Sequence, residues 1–174
     1  MRAESTFSEI LSAAKRGWDE RKWDEGMLSM ALPIQGVDTL QQLPFLAENE
    51  SFRLFWDISP GLSIAATGRC QNLDLTGPKR FELAQKFSES TLGRITDITP
   101  ETPAQARPKI FLKFSFFEQI PERQRGNHVI PAVQAVLPRW QLSSQGKNGW
   151  LRVTGITTNQ SEVRDLTEEL WLMY

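Results

Sequence analysis

The sequence predicts an α+β fold, in which a layered, largely antiparallel β-sheet carries helices on one face. Short runs of alternating apolar residues, separated by Gly and Pro turns, are typical of strands joined in hairpins. Segments at both ends of the chain and near its middle instead place apolar residues three and four apart, which indicates amphipathic helices. The 174 residues are 40% hydrophobic, enough for one core.

The first elements are a helix and a strand. Thr6 and Glu9 have the spacing of a capping box, in which each side chain accepts a backbone N–H of the other residue. A helix is therefore expected from Phe7 to about Lys15 or Arg16. Residues 26–34 are mostly apolar and predict a strand that ends at Pro33 and Gly36.

Residues 52–68 predict a β-hairpin. Apolar residues fall two apart in its first strand and therefore share one side, which must be covered: Phe52, Leu54, Trp56 and Ile58. Pro60 and Gly61 supply the backbone angles of a tight turn, and residues 62–67 return as the second strand. Gly68 then allows a change of direction into a further strand over 69–75.

A helix is predicted to follow Pro78 and to stop near Asp97, before the proline-rich connection 99–108. One of its faces carries apolar or small side chains at helical spacing: Phe81, Ala84, Phe87, Thr91, Ile95 and Ile98. The opposite face carries charges, which indicates that the first face packs on the sheet.

The second half of the chain is predicted to hold three strands and a final helix. Residues 109–117 form a central strand because both of their faces are apolar, and the polar segment 118–131 is a loop. Residues 132–142 and 149–156 then form a hairpin joined by 143–149. The tail 161–174 has helical spacing and is expected to be a helix interrupted by the end of the chain.

The charge balance and the single cysteine exclude several classes of protein. Twenty Lys and Arg against 21 Asp and Glu give a net charge of −1, so neither nucleic acid nor a membrane is an expected partner. The N-terminus resembles neither a signal peptide nor a spanning helix. One cysteine, Cys70, allows no internal disulfide, which suits a cytoplasmic protein.

The sequence offers no catalytic constellation. His128, the only histidine, lies in a polar loop, and Cys70 has no base near it in sequence, so both are interpreted as non-catalytic. Adjacent acidic residues are interpreted as solvent-exposed surfaces of helices or loops rather than as metal ligands: Asp19 and Glu20, Asp24 and Glu25, Glu168 and Glu169. Phosphate-binding glycine loops are absent. We therefore assign no catalytic, cofactor-binding or metal residue in this chain.

Tryptophan is frequent, with six residues in this chain. Trp56, Trp140 and Trp150 fall in predicted strands and are expected to fill the core. Trp18 and Trp23 lie among charges of both signs, and four acidic residues in the same stretch oppose nucleic-acid stacking. We expect these two side chains to pack on the sheet or on a partner.

Residues 55–84, FWDISPGLSIAATGRCQNLDLTGPKRFELA, resemble the N-terminal part of the isochorismate synthases, in the family of chorismate-utilising enzymes. The matching positions follow the family order: Trp56, Gly61, Ile64, Ala65, Gly68, Gly77, Pro78 and Phe81. Segments 108–119 and 135–142 resemble the next strands of the family, although many members have a Gly pair where this chain reads FLKFSFF. The similarity spans about residues 40–155.

This resemblance implies that the chain has three parts. Residues 1–40 hold a helix and a strand but no family motif, and residues 41–158 form a scaffold domain of the isochorismate synthase type. Residues 159–174 are the start of a helix that leads to a catalytic domain absent from this chain. Complete enzymes of this type use a lysine base, an acidic partner and Mg²⁺ held by carboxylates. Lys113 and Lys147 lack the family's context for that lysine. No cofactor is therefore expected in this chain, whereas Mg²⁺ is implied for the full enzyme.

The function implied is that of a scaffold for converting chorismate to isochorismate in menaquinone, phylloquinone or salicylate and siderophore synthesis. The implied partner is a C-terminal chorismate-binding half, in cis or in trans, and the predicted apolar faces also favour self-association. Two alternatives stay open. The chain can be an independent small α+β binding or interaction protein, or an effector-binding module like that of anthranilate synthases.

Overall fold

The computed structural model describes residues 6–21, 26–46, 51–58, 61–99, 101–116 and 131–174. The described helices are α1 (Phe7–Asp19), α2 (Thr39–Leu46), α3 (Arg80–Gly93) and α4 (Gln160–Met173), with a 3₁₀ turn at Ala104–Ala106. The strands are β1 (Met27–Gln35), β2 (Arg53–Ile58), β3 (Leu62–Thr67), β4 (Gln71–Leu75), β5 (Ile95–Asp97), β6 (Phe111–Phe114), β7 (Val133–Leu137), β8 (Trp140–Gln145) and β9 (Asn148–Ile156).

The strands form two sheets. The larger sheet has six strands in the order β2-β3-β8-β9-β1-β5, and the smaller has three in the order β4-β7-β6. All pairings are antiparallel except that of β1 with β5, which is parallel. The predicted α+β class with a largely antiparallel sheet is therefore confirmed.

Three helices cover one face of the six-stranded sheet. The core between them takes Ile10 from α1, Leu46 from α2 and Val163 from α4. The sheet contributes alternate residues of four strands, as the period of two along a strand requires: Leu28, Met30, Leu32, Ala65, Trp140, Leu142, Leu151 and Val153. Helix α3 instead packs on β4 and β7 of the small sheet.

Local signals located the terminal helices well. Thr6 N–H donates to Glu9 Oε2 at 2.8 Å and Glu9 N–H donates to Thr6 Oγ1 at 3.4 Å, so the capping box is confirmed. Helix α1 runs beyond the expected end to Asp19. The apolar residues Val163, Leu166 and Leu170 of α4 are buried as expected. No helix in the described ranges is both long and apolar enough to cross a membrane.

The helix predicted to reach Asp97 ends at Gly93 instead. The residues that follow form β5, in which Ile95 pairs with Met27 of β1. A glycine at the last helical position weakens that turn, and pairing with a buried strand satisfies the backbone groups of the next residues. Ile95 and Ile98 therefore do not extend the face of α3. Pro78 precedes the helix, whose first residue is Arg80.

The segment 132–142, expected to be one strand, is two strands in different sheets. The chain leaves β7 at Leu137 and enters β8 at Trp140, with Pro138 and Arg139 between them. Proline donates no ladder hydrogen bond, so a strand readily breaks there. The loop predicted over 143–149 is only a short turn, because β8 and β9 pair as far as Gln145 and Asn148.

Residues 109–117 were expected to form a central strand, but β6 covers only Phe111–Phe114 and lies at an edge of the small sheet. Phe111 is buried, whereas Leu112 and Phe114 keep much of their surface exposed. Phe114 stacks on Phe81 of α3, with ring centroids 5.0 Å apart. The two faces of β6 thus pack on different neighbours, Phe111 on Ile64 of the large sheet and Phe114 on α3, although the strand is not central.

Three further features differ from expectation or were not predicted. Helix α2 was not predicted and contains Pro44. Strand β1 continues through Pro33 to Gln35. Trp56 was expected in the core but is 53% exposed, because β2 is an edge strand of the large sheet. Trp140 and Trp150 are buried as predicted, and Trp18 packs against the core; Trp23 lies outside the described residues.

Candidate functional site

The face of the six-stranded sheet opposite the three helices has a buried polar layer at its centre. In β9, Leu151 and Val153 point toward the helices, so the side chain of Arg152 points to the other face. Four further polar residues on this layer are also buried, namely Ser29, Gln141, Ser143 and Thr154. The segment that contains the 3₁₀ turn crosses this face and covers Arg152, which is only 1% exposed.

Arg152 binds four groups from three other parts of the chain. Its Nε donates to the carbonyl oxygen of Ala106 at 2.7 Å, and its Nη2 donates to Thr102 Oγ1 at 3.0 Å. Its Nη1 donates to Ser29 Oγ at 2.7 Å and lies 3.1 Å from Asp97 Oδ1. The planar guanidinium thus joins β9, β1, the end of β5 and the covering segment.

The partners of Arg152 are themselves bonded to one another. Asp97 Oδ1 accepts from both N–H and Oγ1 of Thr99, at 3.0 and 2.9 Å. Thr99 Oγ1 in turn accepts from the N–H of Ala31 at 3.0 Å. Ser29 Oγ lies 2.8 Å from Thr154 Oγ1. We call Arg152, Asp97, Ser29, Thr99, Thr102 and Thr154 the Arg152 cluster.

Burial shifts the pKa values of two cations in or beside the Arg152 cluster. Burial lowers the pKa of the Arg152 guanidinium from its ordinary value, and the carboxylate of Asp97 opposes that shift. Lys109 donates from Nζ to the carbonyl oxygen of Ala104 at 2.9 Å. Partial burial lowers the pKa of Lys109, with the charges of Arg152 and Arg107 adding to the effect. The ion pair with Asp97 therefore compensates a charge that would be costly to bury alone.

The contacts indicate that the Arg152 cluster fixes structure rather than binding a substrate. The guanidinium directs donors to four protein acceptors, and the covering segment separates it from solvent. Gln141 extends this anchoring, since its Nε2 donates to the carbonyl oxygen of Arg107 at 3.1 Å. The cluster was not predicted from sequence. The one indication of it in the sequence was the charged residue Arg152 inside the apolar strand predicted over 149–156.

A groove of about 1280 Å³ lies beside the Gln35–Asn148 end of β1 and β9. Its walls come from β1, β9, α2, the end of α4 and the segment 101–105. The lining combines apolar side chains, among them Phe45, Trp150 and Leu172, with polar ones, and its charged member is Glu101. Chorismate carries two carboxylates, which require cationic or N–H donors. No Lys, Arg or His belongs to the lining that the structure describes.

Cys70, Lys113 and Lys147, which were considered from sequence, belong neither to the Arg152 cluster nor to the lining of the groove. Burial raises the pKa of the Cys70 thiol to about 11, so it is protonated at neutral pH. Lys113 lies on edge strand β6 and Lys147 in the turn between β8 and β9, both exposed. His128 lies outside the described residues.

The two carboxylate pairs that the structure describes do not converge on a site. Glu168 binds Arg164 Nε at 2.7 Å and Glu169 binds Arg139 Nη2 at 2.5 Å, so both belong to ion pairs of α4. Asp19 and Glu20 lie at the end of α1, while Asp24 and Glu25 fall outside the described residues. Within the described part of the chain, no three His, Cys, Asp or Glu residues are arranged to hold a metal ion.

Comparison with known proteins gives the family. Among solved structures, the chain is similar to MenF, the menaquinone-specific isochorismate synthase from Escherichia coli, with a TM-score of 0.48 and 13% sequence identity. That match covers 95% of this chain and 34% of MenF, so this chain spans about a third of its length. A search of curated proteins found no match. The family model described as chorismate binding enzyme matches residues 10–174, which confirms the resemblance found in the sequence. Since that match covers nearly all of the chain, the protein belongs to the chorismate binding enzyme family.

Proposed function

We propose that this chain is the N-terminal scaffold part of an isochorismate synthase-like enzyme and is not catalytic alone. The observation that carries the proposal is the family match over residues 10–174. The sequence motif from Trp56 to Phe81 supports the isochorismate synthase subgroup. The geometry supports a scaffold role, because the buried charge of Arg152 is bonded within the protein and the described lining of the groove contains no Lys, Arg or His.

The proposed role is to hold the reacting groups of a C-terminal chorismate-binding half, in cis or in trans. Isomerisation adds water at one ring carbon of chorismate while a hydroxyl leaves another. It therefore needs a base and an acid on opposite faces of the ring. In this proposal the other half supplies both groups and the carboxylates for Mg²⁺, and the reaction serves quinone or salicylate synthesis in the cytoplasm. Rigid strands position such groups within a fraction of an ångström.

The Arg152 cluster suits this role because it stiffens the centre of the large sheet. It joins β9, β1 and the end of β5 to the covering segment through side chains that are mutually bonded. Buried polar networks with satisfied partners fix one arrangement of the strands. An independent binding protein is the second candidate, since the groove of about 1280 Å³ has a mixed apolar and polar lining that suits a small uncharged molecule.

Isochorismate formation tests the proposal. The purified chain is incubated with chorismate, with and without Mg²⁺, and we expect no turnover. The chain is then combined with the catalytic half read from the coding sequence beyond Tyr174 or from a neighbouring gene, recognised by a Lys-Val-Val-Leu-[AS]-Arg-like strand. We expect the mixture to be active, because docking stabilises both pieces by mass action.

The matched control is the catalytic half alone, which should show little activity without its scaffold. Turnover by the 174-residue chain alone would overturn the proposal. A mixture in which both pieces are folded but no isochorismate forms would favour the independent binding protein. In that case a thermal-shift screen of small uncharged ligands against the groove becomes the next measurement.

A further inference from the structure

Strand β2 is an exposed edge of the six-stranded sheet. It pairs with β3 on one side, and no strand in the described part of the chain pairs with its other side. Two large apolar side chains of β2 remain accessible, since Phe55 is 38% exposed and Trp56 is 53% exposed. Arg53 and Asp57 are also exposed. Exposed edges with apolar side chains template pairing with a further strand.

The register shows which backbone groups face outward. Gly68 N–H donates to the carbonyl oxygen of Phe52 at 3.1 Å, and these residues continue the pairing of β3 with β2. In an antiparallel ladder the residues that bond one neighbour alternate with those that face away. Even-numbered residues of β2 therefore bond β3, whereas the backbone groups of Phe55 and Asp57 face outward.

The side chains of β2 are complementary to those of a second, antiparallel copy of the same strand. Read along one face, the strand presents Arg53, Phe55 and Asp57, which are a cation, an aromatic ring and an anion. Reversing the direction exchanges the cation with the anion and leaves the ring at the centre. A second copy placed antiparallel about Phe55 would put Arg53 opposite Asp57 twice. Opposite charges directly across an antiparallel pair stabilise it.

We propose that a second copy of this chain pairs its own β2 with this edge, about a two-fold axis at Phe55. Each Arg53 then faces Asp57 of the second copy, and the two Phe55 rings meet at the axis. On the other face, Trp56 lies opposite Leu54 of the second copy and loses its exposed surface. The two six-stranded sheets become one continuous sheet with a closed, isologous interface.

The other end of the sheet does not offer a comparable edge. Strand β5 has only three residues, and beyond it β1 is protected, because the N–H of Ala31 donates to Thr99 Oγ1. Two residues further along, Pro33 has no N–H to donate. Arg53 is already engaged within its own chain, but a guanidinium has five N–H donors and can bind a second carboxylate.

Charge reversal tests the pairing by sedimentation velocity over a range of concentrations. We expect the wild-type chain to dimerise. Arg53→Asp and Asp57→Arg should each weaken dimerisation about ten-fold or more, because each places like charges opposite one another twice. The double variant, Arg53→Asp with Asp57→Arg, should restore it. An equimolar mixture of the two single variants should form a heterodimer, because both of its cross-strand pairs are then opposite in charge.

The matched control is Leu112→Lys on β6, the edge of the small sheet, which should leave dimerisation unchanged. Far-UV circular dichroism verifies that each variant is folded, and Phe55→Lys replaces any single variant that is not. A wild-type chain that stays monomeric up to its solubility limit would overturn the proposal. So would dimerisation that Leu112→Lys abolishes and the β2 variants leave unchanged, or a mixture of single variants that stays monomeric.

Discussion

Arg152 and Asp97 form an ion pair, with Nη1 and Oδ1 3.1 Å apart, on the sheet face that the helices leave uncovered. The two residues come from strands β9 and β5, which are separated in the sheet by β1. The pair therefore spans β1 and bonds its Ser29 on the way. This contact connects the centre of the sheet to its edge, and two further bonds of Arg152 reach the covering segment.

Replacing Arg152 with Met should lower the free energy of unfolding by about 3 kcal/mol, because it leaves the carboxylate of Asp97 without its partner and orphans the carbonyl oxygen of Ala106. Urea denaturation followed by circular dichroism measures the change. Arg152→Lys keeps the charge but loses the planar fork, and should recover only part of the loss.

The control for this prediction is Arg164→Met. Arg164 forms an ion pair with Glu168 one turn away on the exposed side of α4. Solvent screens such a pair, so we expect no measurable change in stability. An Arg152→Met chain as stable as the Arg164→Met chain would show that the Arg152 cluster does not hold the sheet together.

Gly17→Ala should destabilise the protein although alanine favours helices. A Cβ at Gly17 would lie 2.5 Å from Cγ2 of Ile98, and such a contact forces the two elements apart. Overpacking of this kind costs about 1–3 kcal/mol. Thermal unfolding measures it.

A comparison at Gly93 separates the clash from helix propensity. A Cβ there would meet no heavy atom within 4 Å, so Gly93→Ala should leave stability unchanged or raise it by up to about 1 kcal/mol. Adding Ile98→Ala to Gly17→Ala removes the clashing methyl group. The double variant should therefore lose less stability than the two single changes added together.

Cys70 should make stability fall at alkaline pH. Burial raises the pKa of its thiol from the ordinary 9.0 to about 11, while the charge of Arg139 acts in the opposite direction. Between these two values the unfolded chain binds fewer protons than the folded chain, so the free energy of unfolding falls as pH rises. The loss approaches about 3 kcal/mol once the pH exceeds 11.

Urea unfolding measured from pH 8 to pH 11 tests this sign. Cys70→Ala provides the baseline for every other effect of alkaline pH and should lose less stability over the same interval. Equal losses in the two proteins would place the Cys70 thiol in contact with water.

His128→Ala and Cys70→Ser should leave the activity of the full enzyme nearly unchanged. Cys70 is protonated at neutral pH, and His128 has no base, nucleophile or metal ligand beside it in sequence. Steady-state isochorismate formation by the reconstituted enzyme measures both variants. A loss of about 100-fold, the size expected when a general acid or base is removed, would assign a catalytic role to the residue concerned.

Sequence patterns confined to a few neighbouring residues were sufficient to predict several helices and strands. The capping box of Thr6 and Glu9 fixed the start of α1, and the alternation in 52–67 located β2 and β3. The helical spacing of Val163, Leu166 and Leu170 identified α4. These succeeded because a cap or a periodicity depends on residues within one or two turns of each other.

The Arg152 cluster could not be predicted in the same way. Alternation in β9 shows only that Arg152 faces away from Leu151 and Val153. Its partners Ala106 and Ser29 are 46 and 123 residues away in sequence. No local pattern reports such a distance, so the sequence marks a buried charge without indicating what neutralises it.

Patterns in the sequence were thus enough to predict the α+β class, the terminal helices, the first hairpin and the family. The pairing of β5 with β1, and the passage of the chain from one sheet to the other at Pro138 and Arg139, became evident only from the fold. The same holds for the position of Trp56 at an open edge. The physical reason is that strand pairing satisfies backbone groups between distant segments, so the position of a strand in its sheet depends on residues that its own sequence does not contain.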